Sequence, residues 1–410
     1  MVNRRRFSTF VSSTMRRQTA FGSLFILLLV AAIWKFGKQP RHISVRSSSG
    51  GPLRRAKNGV VYKFFQAGSQ ALHVDNLTCP VAWEWTEDRK SADVVWYDIL
   101  QRPFPSTAEQ VADARSFPDQ LLVFYSSESG TNHDIVFKAK SLGYDISVDY
   151  RIWPGNPNGE ADIPAVYLLN PTSPEFPTNF RRPMTWPKRT DAYMAAFISN
   201  CGARNRRSEV LKELMELMPV HSFGNCLKNE NIDNWMNSKY KTINYSITIS
   251  GPERYQQKLE VAGNYYFIFA PENSNEWGYV TEKIYEALET TAVPIYIGAQ
   301  DVDRFMPSPK SFINVEDFAS TADLAAHLLS LVDDDQKYLK YFEWKHQDFS
   351  SDFQRVLRLA ARTPHCRLAM KLAGQDYERD MQDLTIFPPS STAANGCRKS
   401  SYWSFWGRQT

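Results

Sequence analysis

The chain has 410 residues, 43% hydrophobic and 22% charged, with 19 glycines and 23 prolines; this composition excludes disordered, collagen-like and coiled-coil classes and allows two or three folded units. Lys and Arg number 48 against 44 Asp and Glu, for a net charge of +4. Arg4, Arg5, Arg6, Arg16, Arg17, Lys35 and Lys38 crowd the start, so the remainder is close to neutral and lacks the basic stripe of a nucleic-acid binder.

The first element is an uncharged run, FGSLFILLLVAAIW from Phe21 to Trp34, bounded by Arg16, Arg17, Lys35 and Lys38. At ~1.5 Å per residue it reaches ~21 Å, and counting from Gln18 to Phe36 extends it to ~28 Å, near the ~30 Å of a bilayer core. It predicts a transmembrane signal anchor over 18–36. A cleaved signal peptide is the rival reading, against which Trp34, Lys35 and Phe36 make a poor cleavage neighbourhood. The arginines ahead of it predict a cytosolic tail, 1–17, and a lumenal bulk. There, Asn76-Leu77-Thr78 and Asn244-Tyr245-Ser246 are candidate N-glycosylation sites. Five cysteines (Cys79, Cys201, Cys226, Cys366, Cys397) follow no zinc pattern and predict disulfides with one thiol left over.

Residues 37–58 are polar, basic and Gly/Ser-rich, as in a flexible stem. Folded texture starts near Val60 with VVYKFF, and runs through DVVWYDIL at 93–100 and QLLVFYSS at 120–127 to a Pro/Asn-rich interdomain stretch from Trp153 to Lys188. AAFIS at 195–199, a helix over 206–218 with Val210, Leu211, Leu214, Met215 and Met218 on one face, and VHSFG at 220–224 form a parallel crossover unit. YYFIFA at 265–270, a helix from Thr281 and AVPIYIG at 292–298 repeat it. Apolar runs without alternation suit strands covered on both faces, so the prediction is two α/β domains, 59–188 and 189–383, facing a cleft. Residues 324–371 read as mainly helical. The tail 384–410 reads as loosely held, with Trp403, Phe405 and Trp406 either packed on the body or mobile.

The segment with most chemistry is FAPENSNEWGYVTEK, residues 269–283, leaving a buried strand and entering a helix whose N-cap is Thr281. Parallel sheets bind ligands beyond the carboxyl ends of their strands, and a helix N-terminus offers free N–H groups to phosphate. The helix dipole supplies only about half a charge, so Lys283 is the expected cation for a departing nucleoside diphosphate. SNCGARNRR at 199–207 places Arg204, Arg206 and Arg207 at another strand-to-helix junction, where the dipole disfavours cations; a bound anion explains them better than a solvated helix start. Cys201 and Cys226 each follow a strand of one crossover unit, which favours a structural bridge between them over a reactive thiol. Glu128, ending QLLVFYSSE at a strand's carboxyl end, is placed to face the second domain as a general base, although by position alone it is one of many carboxylates. Asp301 and Asp303, and Asp333 to Asp335, read as solvated turns, so no metal site is assigned. Neither a Gly-x-x-x-x-Gly-Lys loop nor a Gly-x-Gly-x-x-Gly fingerprint occurs, which counts against ATPases and dinucleotide enzymes.

FAPENSNEWGYVTEK followed by AVPIYIGA resembles the signature of glycosyltransferase family 10, the α1,3-fucosyltransferases, and SNCGARNRR, FGNC, MPSPKSF at 306–312 and WKHQDFSSDF at 344–353 look most like its plant-type members that act on N-glycan core GlcNAc. The resemblance spans about 120–370. It implies a GT-B fold, GDP-fucose as donor, a glycoprotein N-glycan as acceptor, inversion at the anomeric carbon and single-pass type II placement in the Golgi membrane. Carried over by motif, Glu272 and Asn273 line the donor site, Tyr279 and Glu282 contact the nucleotide-sugar, Lys283 and Arg207, with Arg204 second, bind its phosphates, and Glu128 is the base. No metal or cofactor is then compulsory, with stimulation by Mn2+ or Mg2+ left open. One departure is Cys366, which lacks the plant-type Cys-x-x-Cys partner and is left to pair with Cys397 or Cys79. Lewis-type fucosylation of outer GlcNAc, and a non-catalytic glycan-binding member of the fold, are the alternatives.

Overall fold

The computed structural model describes residues 61–67, 79–101, 103–168, 176–231 and 252–382. The expected anchor, stem, both sequons, Cys397 and the 384–410 tail lie outside these residues. Among the described residues no helix is long and apolar enough to cross a membrane.

Eleven strands in the described residues form two wholly parallel sheets. The first contains β1 (Tyr62–Ala67), β2 (Trp83–Trp85), β3 (Val94–Asp98), β4 (Leu121–Tyr125), β5 (Ile146–Asp149) and β6 (Ile163–Pro164) in the order β2-β1-β3-β4-β5-β6. The second contains β7 (Met194–Ala196), β8 (Val220–Ser222), β9 (Phe267–Pro271), β10 (Val293–Ile297) and β11 (Ile313–Asn314) in the order β11-β10-β9-β7-β8. Alternation of side chains explains why the central strands are apolar throughout. In β3, Val94 and Trp96 enter one core while Val95 and Tyr97 enter the opposite one. In β9, Phe267 and Phe269 face the helix Arg207–Leu217, whereas Ile268 and Ala270 face the helix Glu282–Glu289. Each such side chain fully withdrawn from water contributes about 1.5–3 kcal/mol.

The two sheets are joined by more than the connecting chain. Ile152 and Trp153, just past β5, pack with Val302 and Phe305, just past β10. The Trp153 ring lies between two guanidinium groups, Arg304 at 4.0 Å and Arg355 at 4.7 Å from its centroid, and Arg355 also donates to the Ile152 carbonyl at 2.8 Å. After the helix Ser351–Ala361, the helix Pro364–Leu372 returns to the first sheet, where Leu368, Ala369 and Met370 cover Phe64, Val94 and Trp96. There Cys366 is bonded to Cys79 with the Cα atoms 5.7 Å apart, which resolves the pairing the sequence left open. A second bridge joins Cys201 to Cys226; closing 25 residues of chain, it contributes about 3.5 kcal/mol in the chain-entropy description.

Lys188 and Lys345 are buried where the helices Pro252–Gly263 and Glu282–Glu289 end. Lys188 donates to the Gly263 carbonyl at 2.8 Å, and Lys345 to the Thr290 carbonyl at 3.3 Å. Burial pulls both ammonium groups down to about 7, helped at Lys188 by repulsion from Lys345 and at Lys345 by Arg182. Above pH 7 the unfolded chain, with lysines near 10.5, holds protons that the folded chain has released, so stability rises with pH, by about 1.4 kcal/mol per unit per lysine at most. The rise ends near pH 10, where tyrosines ionise in the unfolded chain while burial keeps Tyr125 protonated to about 12. Urea unfolding followed from pH 7 to 9.5 should show this increase, and Lys188→Met should flatten it; an unchanged slope would remove Lys188 as the cause.

Candidate active site

Loops that leave the carboxyl ends of strands in both sheets meet: residues after β4 touch residues after β7 and β9. The loop after β9 is closed on itself by Glu272, which is 0% exposed. Its Oε1 accepts from the Thr281 amide at 2.7 Å, and its Oε2 accepts from the Thr281 hydroxyl at 2.7 Å and faces Lys283 Nζ at 3.2 Å. Burial pushes this carboxyl up, and Lys283 with the Thr281 hydrogen bonds works against the push. Gly298 makes room for it, since a Cβ there would stand 2.7 Å from Glu272 Cγ and 2.4 Å from the Tyr296 hydroxyl.

Thr281 is the N-cap of the helix Glu282–Glu289, but its side chain makes no cap hydrogen bond, being turned to Glu272. The first-turn amides are therefore not closed by Thr281, as suits an anion site. Lys283 also meets Thr281 Oγ1 at 2.7 Å and Glu282 Oε1 at 3.2 Å. Burial lowers the lysine, but Glu272 and Glu282 outweigh it and raise the ammonium above its usual value; Glu282 is held down by Lys283 against its own burial. Lys283 is thus held as a cation by two carboxylates, Glu272 and Glu282.

The 199–207 loop lies alongside. Asn205 Nδ2 donates to the Glu272 carbonyl and to Asn275 Oδ1, both at 2.9 Å. Arg207, 3% exposed, donates to the Asn200 carbonyl at 2.6 Å. Its Nε, with Asn205 Oδ1, Ser208 Oγ, Asn273 Oδ1 and Ser274 Oγ, is a buried polar atom with no hydrogen-bond partner in the protein. Buried polar groups rarely stay unmatched; these lie on the loops holding Asn205 and Asn273–Ser274 and in the first turn of the helix Arg207–Leu217, where a polar ligand would give them partners. Arg204 does not join Arg207: it is exposed and donates to the Thr131 carbonyl of the other lobe at 2.9 Å.

Glu128 is half-buried, and its Oε2 accepts from the Tyr279 hydroxyl at 3.4 Å. The expected base and the 272–283 loop therefore meet across the cleft. Burial first, then Glu272, Glu128 and Glu282, raises the Tyr279 hydroxyl and keeps it neutral, while an Asn273 hydrogen bond opposes this. Gly130, two residues on, lies against the Phe137 ring, which a Cβ at this position would push aside. Cys201, bonded to Cys226, anchors the start of the arginine-bearing loop.

Asp301 is a correction. It is not a solvated turn residue; it is buried, and its Oδ1 accepts from the Gly278 amide at 2.7 Å. Sequence reasoning also missed Asn205, Ser274, Glu276, Thr131 and Tyr150. Asn205, Ser274 and Glu276 stood inside motifs already singled out, but nothing in those motifs set them apart from their neighbours.

Residues 186–386 match the family model for glycosyltransferase family 10 (fucosyltransferase), C-terminal part. Among curated relatives, a putative fucosyltransferase-like protein of Arabidopsis thaliana is 27% identical over 266 residues, 64% of this chain and 45% of that protein. An alpha-(1,4)-fucosyltransferase of Arabidopsis thaliana is 32% identical over 169 residues, 41% of each chain. The chain spans less than half the length of either relative. A crystal structure of an alpha1,3-fucosyltransferase superposes with a TM-score of 0.50 at 16% identity, over 84% of this chain and 94% of that one, so the two share the fold.

Glu272→Ala would leave Lys283 and Thr281 without the group that closes the loop. The expected loss is about 3–5 kcal/mol of stability in urea unfolding, as for other broken buried pairs; a loss below about 1 kcal/mol would mean the loop closes without it.

Proposed function

Because residues 186–386 form a glycosyltransferase family 10 (fucosyltransferase) C-terminal domain, we propose that the protein is an inverting α1,3-fucosyltransferase that moves fucose from GDP-fucose to the 3-hydroxyl of GlcNAc in N-glycans, with core GlcNAc as the acceptor. The observation that carries this reading is the approach of Glu128 from one sheet to Tyr279 from the other. It supplies a carboxylate base beside a loop rich in anion-binding groups, which is what hydroxyl attack on a nucleotide-sugar needs.

In this reaction the acceptor oxygen forms a bond to fucose C1 as the C1–O bond to the β-phosphate breaks. The hydroxyl proton passes to Glu128, and the bonding pair leaves on GDP. Lys283, Arg207 and the amides at the start of the helix Glu282–Glu289 neutralise that charge, so the step needs no metal ion. Glu282, held ionised by Lys283, stabilises positive charge developing on the sugar. Asn273 and Tyr279 line the donor, and Arg204 supports the phosphates from the edge of the cleft. The same proposal takes residues 18–36 as a Golgi membrane anchor, with residues 59–188 and 189–383 as lumenal acceptor-side and donor-side domains. A second reading, α1,3/4 transfer to outer GlcNAc, is favoured by the alpha-(1,4)-fucosyltransferase among the relatives.

GDP release and mass-spectrometric product analysis with a core N-glycopeptide and with N-acetyllactosamine test both readings. Fucosylation of the first acceptor alone supports the core assignment, that of the second alone supports the outer one, and absence of turnover with either rejects the proposal. Lys283→Ala and Glu128→Gln should each lower kcat at least ~100-fold, and retained activity would remove that residue from the mechanism.

A further inference from the structure

Glu276 has no part in the chemistry above, yet its side chain is buried, at 6% exposure, and its carboxylate is met by donors from the opposite lobe. Oε2 accepts from the Thr131 amide at 2.8 Å and from the Thr131 hydroxyl at 3.0 Å. Oε1 accepts from the Tyr150 hydroxyl, whose oxygen in turn accepts from the Gly130 amide at 2.8 Å. One carboxylate thus holds two successive amides, Gly130 through Tyr150 and Thr131 directly. A carboxylate, which only accepts, matches three donors as an amide side chain would not.

The turn it holds is the one that carries Glu128. Ser126 Oγ takes the Glu128 amide at 3.0 Å and donates to the Glu128 carbonyl at 2.8 Å, which leaves the Glu128 side chain directed at Tyr279. Tyr279 is tied back to the Glu276 carbonyl by its own amide at 3.1 Å. The contacts form a closed circuit across the cleft, from Glu276 to Thr131, along the turn to Glu128, over to Tyr279 and back to Glu276. Two loops linked at two points cannot slide past each other without breaking one link. The outer side of the turn is gripped as well, by Arg204 on the Thr131 carbonyl.

We propose that Glu276 is a positioning residue that bridges the two lobes and fixes the 128–131 turn, so that the Glu128 carboxylate is presented to the acceptor hydroxyl beside the donor loop. This rests on the transfer reaction proposed above. Misplacing a catalytic group by about 1 Å costs on the order of 100-fold in rate, so loss of the bridge falls on kcat while the phosphate-binding groups stay intact.

The test uses the full-length protein in detergent, with Glu276→Ala, Glu276→Gln, Tyr150→Phe and the Glu276→Ala/Tyr150→Phe double variant. Glu276→Ala should lower kcat at least ~30-fold while calorimetric GDP affinity stays within ~2-fold, with Glu276→Gln intermediate. Hydrogen exchange of the 126–133 segment should quicken in Glu276→Ala. Tyr150→Phe should lose less, and should add nothing in the Glu276→Ala background, since both act through one bridge. The proposal is overturned if kcat of Glu276→Ala stays within ~3-fold of wild type, if GDP affinity falls in step with kcat, or if the two substitutions add independently. Should Glu276→Ala not fold, Tyr150→Phe, which keeps the ring, decides alone: unchanged kcat and exchange overturn the bridge. If the wild type transfers no fucose to any acceptor, the functional reading fails, but exchange in the 126–133 segment, measured without substrate, still judges the bridge.

Discussion

A carboxylate taken wholly out of water at the end of a strand is the constraint on which the cleft depends. Withdrawing Glu272 from solvent is costly, and the cost is offset only if its oxygens are matched by donors and a cation. Those partners come from Thr281, which both starts the next helix and closes the loop, and from Lys283 in its first turn. The positions of Tyr279, Glu282 and Lys283 follow from this one closure. It also turns the Thr281 side chain away from the helix amides, so the requirement that shuts the loop keeps the helix start available to an anion.

The second constraint is that the two lobes share structure. Each sheet has its own pair of faces, but the core against the inner face of the second sheet includes Ile152 and Trp153 from the first half of the chain. The last helices cross back to seal the outer face of the first sheet. Trp153, held between Arg304 and Arg355, joins three separate stretches of sequence at one ring. Relative motion of the lobes is therefore limited near this ring, and Thr131 with Glu276 and Arg204 makes a polar contact between the lobes.

The sequence revealed these features unevenly, for physical reasons. β3, β4, β9 and β10 were legible because both faces are covered, which writes an unbroken apolar run into the chain. β2, β5, β6 and β11 were not. Two-residue strands such as Ile163–Pro164 exist because a neighbour's edge orders them, as Val148 pairs with Ile163, and their own composition carries no period. The 269–283 motif made Glu272, Tyr279 and Lys283 visible, but the sharing of Lys283 between two carboxylates depends on side-chain directions that spacing does not fix. Asp301 was misread because an Asp-x-Asp after a strand-ending glycine looks like an exposed turn; only the approach of Gly278, which has a φ of 78°, gives its carboxylate a buried partner. Glu276 was illegible for the same reason, since its partners lie more than a hundred positions earlier.

The Cys79–Cys366 bridge spans a sequence separation of 287, and the helix bearing Cys366 covers Phe64, Val94 and Trp96. At about 5–20 residues per second on the ribosome, the first lobe waits roughly 10–40 s after its last strand, Ile163–Pro164, emerges before Cys366 on the helix that seals it is synthesised. During that interval a nascent chain presents an aromatic face and a lone Cys79 thiol to its surroundings. Maturation of this protein is thus tied to translation reaching its far end, since only then can Cys79 meet Cys366 and the aromatic face be covered.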